Sequence, residues 1–283
     1  MNDSPHTLKR LADWYKRRIR IRGLGALLKA TLECFISTWA RIKRFSFPEK
    51  FIWEWKVEML NGSYEKDTTD LFKRIVKPGM TVVDIGAHIG YFTRLFSELT
   101  GSSGSVFAFE PDPSNCSLLR KNTARCANVT IVNAAISDTT GMIDFYEIED
   151  STACHSTIPS EAPSKKLSVK AVTLDGFVKE KSISVDIIKI DIEGSEMHAF
   201  KGMQELLGSG RALRIVCELN PGALARAGSS PREMIDTLAS FGFSAYAILP
   251  GAPVPLNART LDSLPFMKGK EEYLNVLFMN MEE

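Results

Sequence analysis

The chain has 283 residues, of which 44% are hydrophobic and 24% charged, enough for one large α/β domain with an appendage. Its formal net charge of +1 argues against a protein that binds nucleic acid over its whole surface. No run approaches the ~20 apolar residues of a membrane-spanning helix, and the polar N-terminus lacks the apolar core of a signal peptide.

Residues 1–50 hold twelve Lys/Arg against four Asp/Glu and read as an extension of the main fold. Within them Leu24, Leu27, Leu28, Thr31, Leu32, Phe35 and Trp39 recur at helical spacing, with Arg22, Lys29, Arg41, Lys43 and Arg44 among or beyond them. A basic amphipathic helix over residues 20–45 suits packing on its own domain, a second subunit in a homo-oligomer, or peripheral contact with an anionic membrane. Residues 51–80 form an aromatic-rich lead-in (Phe51, Trp53, Trp55, Tyr64, Phe72), with a helix over 69–76 and a turn at Lys77-Pro78-Gly79.

From residue 81 to 283 strand and helix patterns alternate. Strands are expected at Thr81–Ile85, 105–110, 129–133, 185–190, 213–219, 243–249 and 273–279, and helices at 91–99, 114–126, 195–207 and 231–241. This order implies βαβ units, a doubly wound α/β fold and a mostly parallel sheet. Two further β segments, 142–148 and 167–172, flank a polar loop at 150–166 that suits a lid or a solvated connection. The cysteines (Cys34, Cys116, Cys126, Cys154 and Cys217) are odd in number and contain no C-x-x-C pair. That pattern points to a reducing, cytoplasmic compartment without disulfides or a zinc ribbon.

Three segments carry chemistry. The loop Asp84-Ile85-Gly86-Ala87-His88-Ile89-Gly90 links a strand to a helix, with glycines where the chain must turn sharply and approach a ligand. It is not the dinucleotide fingerprint, because His88 stands where a pyrophosphate favours glycine, so a nicotinamide dehydrogenase is disfavoured. Glu110 ends the second strand twenty residues after Gly90, near the ~20-residue offset at which a carboxylate captures ribose hydroxyls. Lys189-Ile190-Asp191-Ile192-Glu193-Gly194-Ser195-Glu196 puts three carboxylates on the turn after the fourth parallel strand, at the sheet edge where ligands bind. Glu196 also suits the first turn of a helix, where the dipole favours an acid.

In this order and spacing the three segments, with Phe107-Ala108-Phe109-Glu110-Pro111-Asp112-Pro113, Thr173-Leu174-Asp175 and Val216-Cys217-Glu218, resemble the FkbM family of class I methyltransferases over roughly residues 75 to 250. The resemblance implies a seven-stranded Rossmann-like sheet binding S-adenosylmethionine, and O-methylation of a hydroxyl on a sugar, glycan or polyketide-like small molecule. Carried over, it puts Asp84, Gly86, His88 and Gly90 at the methionine and ribose part, and Glu110 on the ribose hydroxyls. Ser137 and Asp138 would lie near the adenine, and Asp191 would face the methionine amino group or the acceptor. His88 departs from the Asn more usual in the family, and unlike Asn it titrates.

A hydroxyl acceptor needs a base or a metal to take its proton. Candidate bases are Asp191, Glu193, His88 and His198. Asp191, Glu218 and Asn220 end adjacent strands and could hold Mg²⁺, although Asn220-Pro221 also reads as the start of a turn. Cys154 and His155 read as loop residues. The contrasting function is a non-catalytic binding protein of the same fold, working through its basic N-terminal helix at a membrane or partner.

Overall fold

The computed structural model describes residues 24–148, 156–159, 164–257, 260–261 and 273–280. Arg22, Cys154 and His155 lie outside the described residues, as do much of the 150–166 and 250–270 loops. The chain divides into two units, residues 1–45 and 46–283.

The first unit contains α1 (Leu24–Lys43), which ends on Arg41 and Lys43, where cations suit the helix carboxyl end. Leu32 and Phe35 are exposed on it, and the Phe35 ring lies 6.1 Å from that of Trp39. No helix of the described residues is long and apolar enough to cross a membrane.

The second unit opens with α2 (Trp53–Asn61), α3 (Lys66–Ile75), β1 (Thr81–Ile85), α4 (Tyr91–Thr100), β2 (Ser105–Phe109), α5 (Pro113–Asn122), β3 (Val129–Val132) and β4 (Ala135–Ile136). It continues through β5 (Gly141–Ile148), β6 (Ser164–Val172), α6 (Leu174–Lys181), β7 (Ile187–Ile190), α7 (Glu196–Lys201), α8 (Gln204–Leu207) and β8 (Arg214–Leu219). It closes with α9 (Pro221–Arg226), α10 (Pro231–Ser240), β9 (Ser244–Ala247), β10 (Val254–Leu256) and β11 (Leu274–Met279).

The main sheet runs β10-β9-β11-β8-β7-β1-β2-β3. Strands β3, β2, β1, β7 and β8 are parallel, and β11 returns antiparallel between β8 and β9. This is the expected doubly wound α/β class with one strand more than the expected seven. The extra strand, β10, is a three-residue edge containing Pro255, and an edge is where proline is tolerated in a sheet. The segments expected at 142–148 and 167–172 fall in β5 and β6, which with β4 form a separate three-stranded sheet.

Both faces of the main sheet are apolar, which is why its central strands read as near-continuous hydrophobic runs. Val82, Val106, Ile187 and Val216 pack on one side with Leu71, Phe72, Phe92 and Phe96. Val83, Ile85, Ile188, Ile190 and Ile215 pack on the other with Phe200, Leu207, Met234 and Leu238. Each fully buried side chain of this kind contributes ~1.5–3 kcal/mol over leaving it in water.

Local signals set the helix starts. Asp112, Asn220 and Ser230 each accept a backbone N–H as the N-cap of a helix whose first residue is proline. The helix expected over 195–207 is interrupted at Gly202. A side chain there would meet the Ser137 carbonyl oxygen at 2.0 Å, so the chain is pressed against a neighbouring strand end. Helices α2, α6 and α9 add to those expected.

In sequence, β1 is followed by β2 and β3 on one side, whereas β7 and β8 lie on the other. The chain therefore reverses direction across the sheet at β1, and a crevice opens beyond the carboxyl ends of β1 and β7.

Candidate active site

The turn after β1 is built by glycines at two tight approaches. Gly86 has φ +79°, and a Cβ there would sit 1.8 Å from the Asp191 carbonyl oxygen. Gly90, at φ +90°, starts α4 against the Leu119 side chain of α5, which a Cβ would meet at 2.7 Å. Between them His88 takes the left-handed conformation at φ +50°. Its backbone N–H donates to Glu110 Oε2 at 2.8 Å, and its ring lies 5.9 Å from that of Phe51. Glu110 Oε1 accepts from the Asp112 N–H at 2.9 Å, so one buried carboxylate braces both the β1 and the β2 turns.

Behind the turn Asp84 is fully buried and accepts from Thr93 Oγ1 at 2.6 Å. Its other oxygen is 3.9 Å from Lys189 Nζ, which lies 3.1 Å from Asp191 Oδ2. Burial raises the Asp84 pKa, and the charge of Lys189 opposes that rise. Burial disfavours the Lys189 charge, but Asp191, Asp84 and Glu65 outweigh it and raise the ammonium pKa. Lys189 thereby ties β1 to β7 as a permanent cation.

Acidic groups crowd the cleft side. Asp191, Glu193 and Glu218 each offer a carboxylate oxygen, and these oxygens lie within 4.8 Å of one another. Burial, followed by the charges of Asp191, Glu193, Glu65 and Glu196, pushes Glu218 far above the ordinary carboxylate range. Glu65, in left-handed conformation before α3, accepts from Asn275 Nδ2 at 2.8 Å. Burial and then the Asp191 charge push it up to about 7. The same two influences, chiefly burial, raise Glu196 to about 7.

A cleft joins these parts, lined by Trp55, Tyr64 and Tyr273 on one flank and by Ala134, Ala135 and Ile136 on another. From the segment between β5 and β6, Ser156 exchanges backbone hydrogen bonds with Tyr146, and its hydroxyl donates to the Glu193 carbonyl at 2.8 Å. Thr157 pairs with the Ser195 hydroxyl. The described part of that loop is thus seated on the turn after β7.

The Methyltransferase FkbM domain matches residues 84–245, more than half of the chain and the whole span from the β1 turn to β9. The chain belongs to the FkbM methyltransferase family. Among its relatives is the hexuronic acid methyltransferase AglP of Haloferax volcanii, 26% identical over 157 residues, a match covering 55% of this chain and 62% of AglP. The 2-O-methyltransferase NoeI of Sinorhizobium fredii is 28% identical over 181 residues, covering 58% of this chain and 73% of NoeI. The 31-O-demethyl-FK506 methyltransferase FkbM of Streptomyces tacrolimicus is 27% identical over 161 residues, covering 46% of this chain and 62% of that protein. The chain thus spans under two thirds of the length of two of these three relatives.

Within the FkbM domain, the structure brings Gly86, His88, Glu110, Asp191, Glu193, Glu218 and Asn220 to one cleft. It sets Asp84 behind that cleft with Lys189, and Gly90 against α5. Ser137 and Asp138 fall outside the lining. Ser137 Oγ donates to Asp138 Oδ1 at 3.1 Å, and Asp138 Oδ2 lies 3.2 Å from His198 Nδ1. Asn220, expected as a third oxygen beside Asp191 and Glu218, spends its amide oxygen on the Ala223 N–H at 3.1 Å as the cap of α9. Glu193 takes the third place in the cluster. Sequence reasoning did not single out Glu65, Tyr273 or the Ala134–Ile136 wall, because long-range packing carries them to the cleft and no local pattern marks them.

Proposed function

We propose that this chain is an S-adenosylmethionine-dependent O-methyltransferase acting on a hydroxyl of a sugar, glycan or polyketide-like small molecule. The observation that carries the reading is one cleft at the β1/β7 switch point. It sets the Glu110 carboxylate, at the offset that suits ribose hydroxyls, in the same lining as the acidic group Asp191, Glu193 and Glu218. Membership of the FkbM family supports it, as do relatives named for transfer to a hexuronic acid, to a 2-hydroxyl and to a 31-hydroxyl.

The donor's chemistry fits the residues present. Its sulfonium and ammonium are positive, and the cleft presents Glu65, Asp191, Glu193 and Glu218 while Lys189 is turned to Asp84 and Asp191. Glu110 accepts the His88 and Asp112 N–H groups, which hold its carboxylate in the cleft lining where a ribose hydroxyl would meet it. Ala134, Ala135 and Ile136 offer an apolar wall for the adenine. When bound, the donor supplies a methyl group that passes to the acceptor oxygen while the C–S electron pair stays on sulfur. The chain's part is to hold the acceptor oxygen in line, exclude water and receive the hydroxyl proton on Asp191 or Glu193, with His88 as a further candidate. Trp55, Tyr64 and Tyr273 give flat apolar faces on which a sugar or macrocycle can lie.

The test is calorimetry with S-adenosylhomocysteine followed by transfer of a labelled methyl group to a panel of sugars and polyols. Wild type is expected to bind the cofactor product, and Glu110→Ala to weaken that binding by about tenfold or more, the equivalent of two lost ribose hydrogen bonds. Asp191→Asn should keep binding but lose methyl transfer. A wild-type chain that takes up no S-adenosylhomocysteine would overturn the reading.

A further inference from the structure

We propose that Asp191, Glu193 and Glu218 form a divalent-cation site of the Mg²⁺ type in the cleft, and that the acceptor's oxygen completes its coordination. The acceptor half of this proposal rests on the methyltransferase reading above; the cation half rests on the chain alone.

The first ground is the donor set. Three carboxylates from two adjacent parallel strand ends present one oxygen each, all within 4.8 Å of one another. Ligands on opposite sides of a Mg²⁺ ion lie about 4.2 Å apart, twice the metal–oxygen length of about 2.1 Å, so side-chain rotation suffices to close the group on an ion. Asp191 directly follows β7 on one side, and Glu218 stands next to last in β8 on the other. These three donors are all hard oxygens, which select Mg²⁺ or Mn²⁺ over softer metals.

The second ground is independent of the cluster's composition. Glu218 is nine-tenths buried and lines the cleft, yet among the described residues its carboxylate takes no hydrogen bond and no cation. A buried carboxyl group keeps its charge only where a cation or a donor stands against it, so Glu218 is a ligand that a cation in the cleft would complete. Lys189, the one lysine or arginine buried among the described residues, does not supply it. Its ammonium is committed to Asp191 Oδ2 at 3.1 Å and faces Asp84 at 3.9 Å. Asn220, on the same stretch of chain as Glu218, gives its amide oxygen to the Ala223 N–H as the cap of α9.

Three protein oxygens leave about half of an octahedral shell open. Open positions would be reached from the cleft that Asp191, Glu193 and Glu218 line together with Trp55, Tyr64 and Tyr273. The acceptor class that best uses them carries two neighbouring oxygens, as a vicinal diol of a sugar does, because such a pair chelates an ion. A bound cation would lower the pKa of a hydroxyl that it holds.

The experiment titrates Mn²⁺ into the full chain and follows the free-ion signal by electron paramagnetic resonance, with Mg²⁺ as competitor. Calorimetry with S-adenosylhomocysteine runs in parallel. One Mn²⁺ per chain is expected, displaced by Mg²⁺ and weakened by about tenfold or more in Glu193→Gln and in Glu218→Gln. S-adenosylhomocysteine binding to wild type, measured without added metal, is the separate readout of the transferase reading. Glu193→Gln, at a half-buried position, decides the matter if Glu218→Gln fails to fold. An undiminished free Mn²⁺ signal with wild type, or wild-type Mn²⁺ affinity in Glu193→Gln, overturns the cation site even where S-adenosylhomocysteine binds. Mn²⁺ binding without S-adenosylhomocysteine binding leaves the site standing and overturns the transferase reading instead.

Discussion

The turn after β1 and the turn after β7 lie side by side, joined by the Asp191 N–H donating to the Ile85 carbonyl, but they use their residues in opposite ways. In the first, hydrogen bonds to the backbone fix the shape of the turn. Asp84 holds Thr93, the Gly86 and Ala87 N–H groups share the Phe109 carbonyl, and the His88 N–H takes Glu110. In the second, Asp191, Glu193, Glu196 and Glu218 crowd together with Lys189 the only buried cation among the described residues. The first turn is set by backbone hydrogen bonds and close glycine contacts; the second gathers carboxyl groups whose burial and mutual repulsion raise the pKa of Glu196 and Glu218. The contrast teaches that the glycine loop, the more conspicuous motif, supplies geometry. The acidic turn, against which the loop is closely fitted at Gly86, carries the carboxyl groups to which the proposed reading assigns the chemistry.

The sharpest way to break that contrast is Gly86→Ala. The new methyl would lie 1.8 Å from the Asp191 carbonyl oxygen, a backbone atom that cannot rotate away, and φ +79° is itself unfavourable for alanine. The two turns would have to part, and with them β1 from β7. A loss of about 4 kcal/mol or more is expected in denaturant unfolding, beyond what most single substitutions cost. A loss below about 1 kcal/mol would mean that the two turns are not locked together.

The acidic side should announce itself through pH. Glu196 is 3% exposed; its Oε1 accepts from the Gly194 N–H at 3.2 Å, and Oε2 has no hydrogen-bond partner. Burial raises its pKa from 4.5 to about 7. Between those values the folded chain holds a proton that the unfolded chain has released. Stability from this group is therefore full below about pH 4.5, falls as pH rises toward 7, and is level above. The total is bounded at about 3 kcal/mol. Glu196→Gln keeps the shape and removes the titration, so its stability relative to wild type should climb from about pH 5 to about pH 7 and level off by pH 8 in thermal melts. A constant difference across that range would refute the raised pKa. Glu65, raised to about 7, adds a similar slope that both proteins share, so the difference between them isolates Glu196.

Most of this architecture was legible because the central strands are buried on both faces and so read as apolar runs, β7 most plainly. Less legible were features whose cause lies elsewhere in the chain. Nothing local distinguishes β5 and β6 as a sheet apart from the main one, and β10 is three residues long. Of the acidic group, Asp191 and Glu218 were readable as polar residues closing apolar strands. The exchange of Asn220 for Glu193 was less so, although asparagine followed by proline is a helix-start signal that could have been weighed more heavily. Glu65 carries no sequence mark at all. It reaches the cleft because Leu71 and Phe72 of α3 are drawn into the core beside β1.

The gentlest test bears on Ser137 and Asp138, which the resemblance put near the adenine and which fall outside the cleft lining. Asp138 pairs with His198 at 3.2 Å, with side chains 34% and 42% exposed, and its other oxygen accepts from Ser137. Slight burial opposes the charge, but hydrogen bonds from His198 and Ser137 prevail and hold the carboxyl below its ordinary range. An exposed pair of this kind is worth less than about 1 kcal/mol, so Asp138→Asn should barely shift the unfolding midpoint. With both oxygens engaged, the carboxylate has little left for a ligand, and S-adenosylhomocysteine affinity should change by less than about threefold. A loss of about tenfold in the same calorimetry would mean instead that the His198 pair opens to receive the adenine. The cofactor would then reach past the Ala134–Ile136 wall, and this corner would join Glu110 as binding machinery.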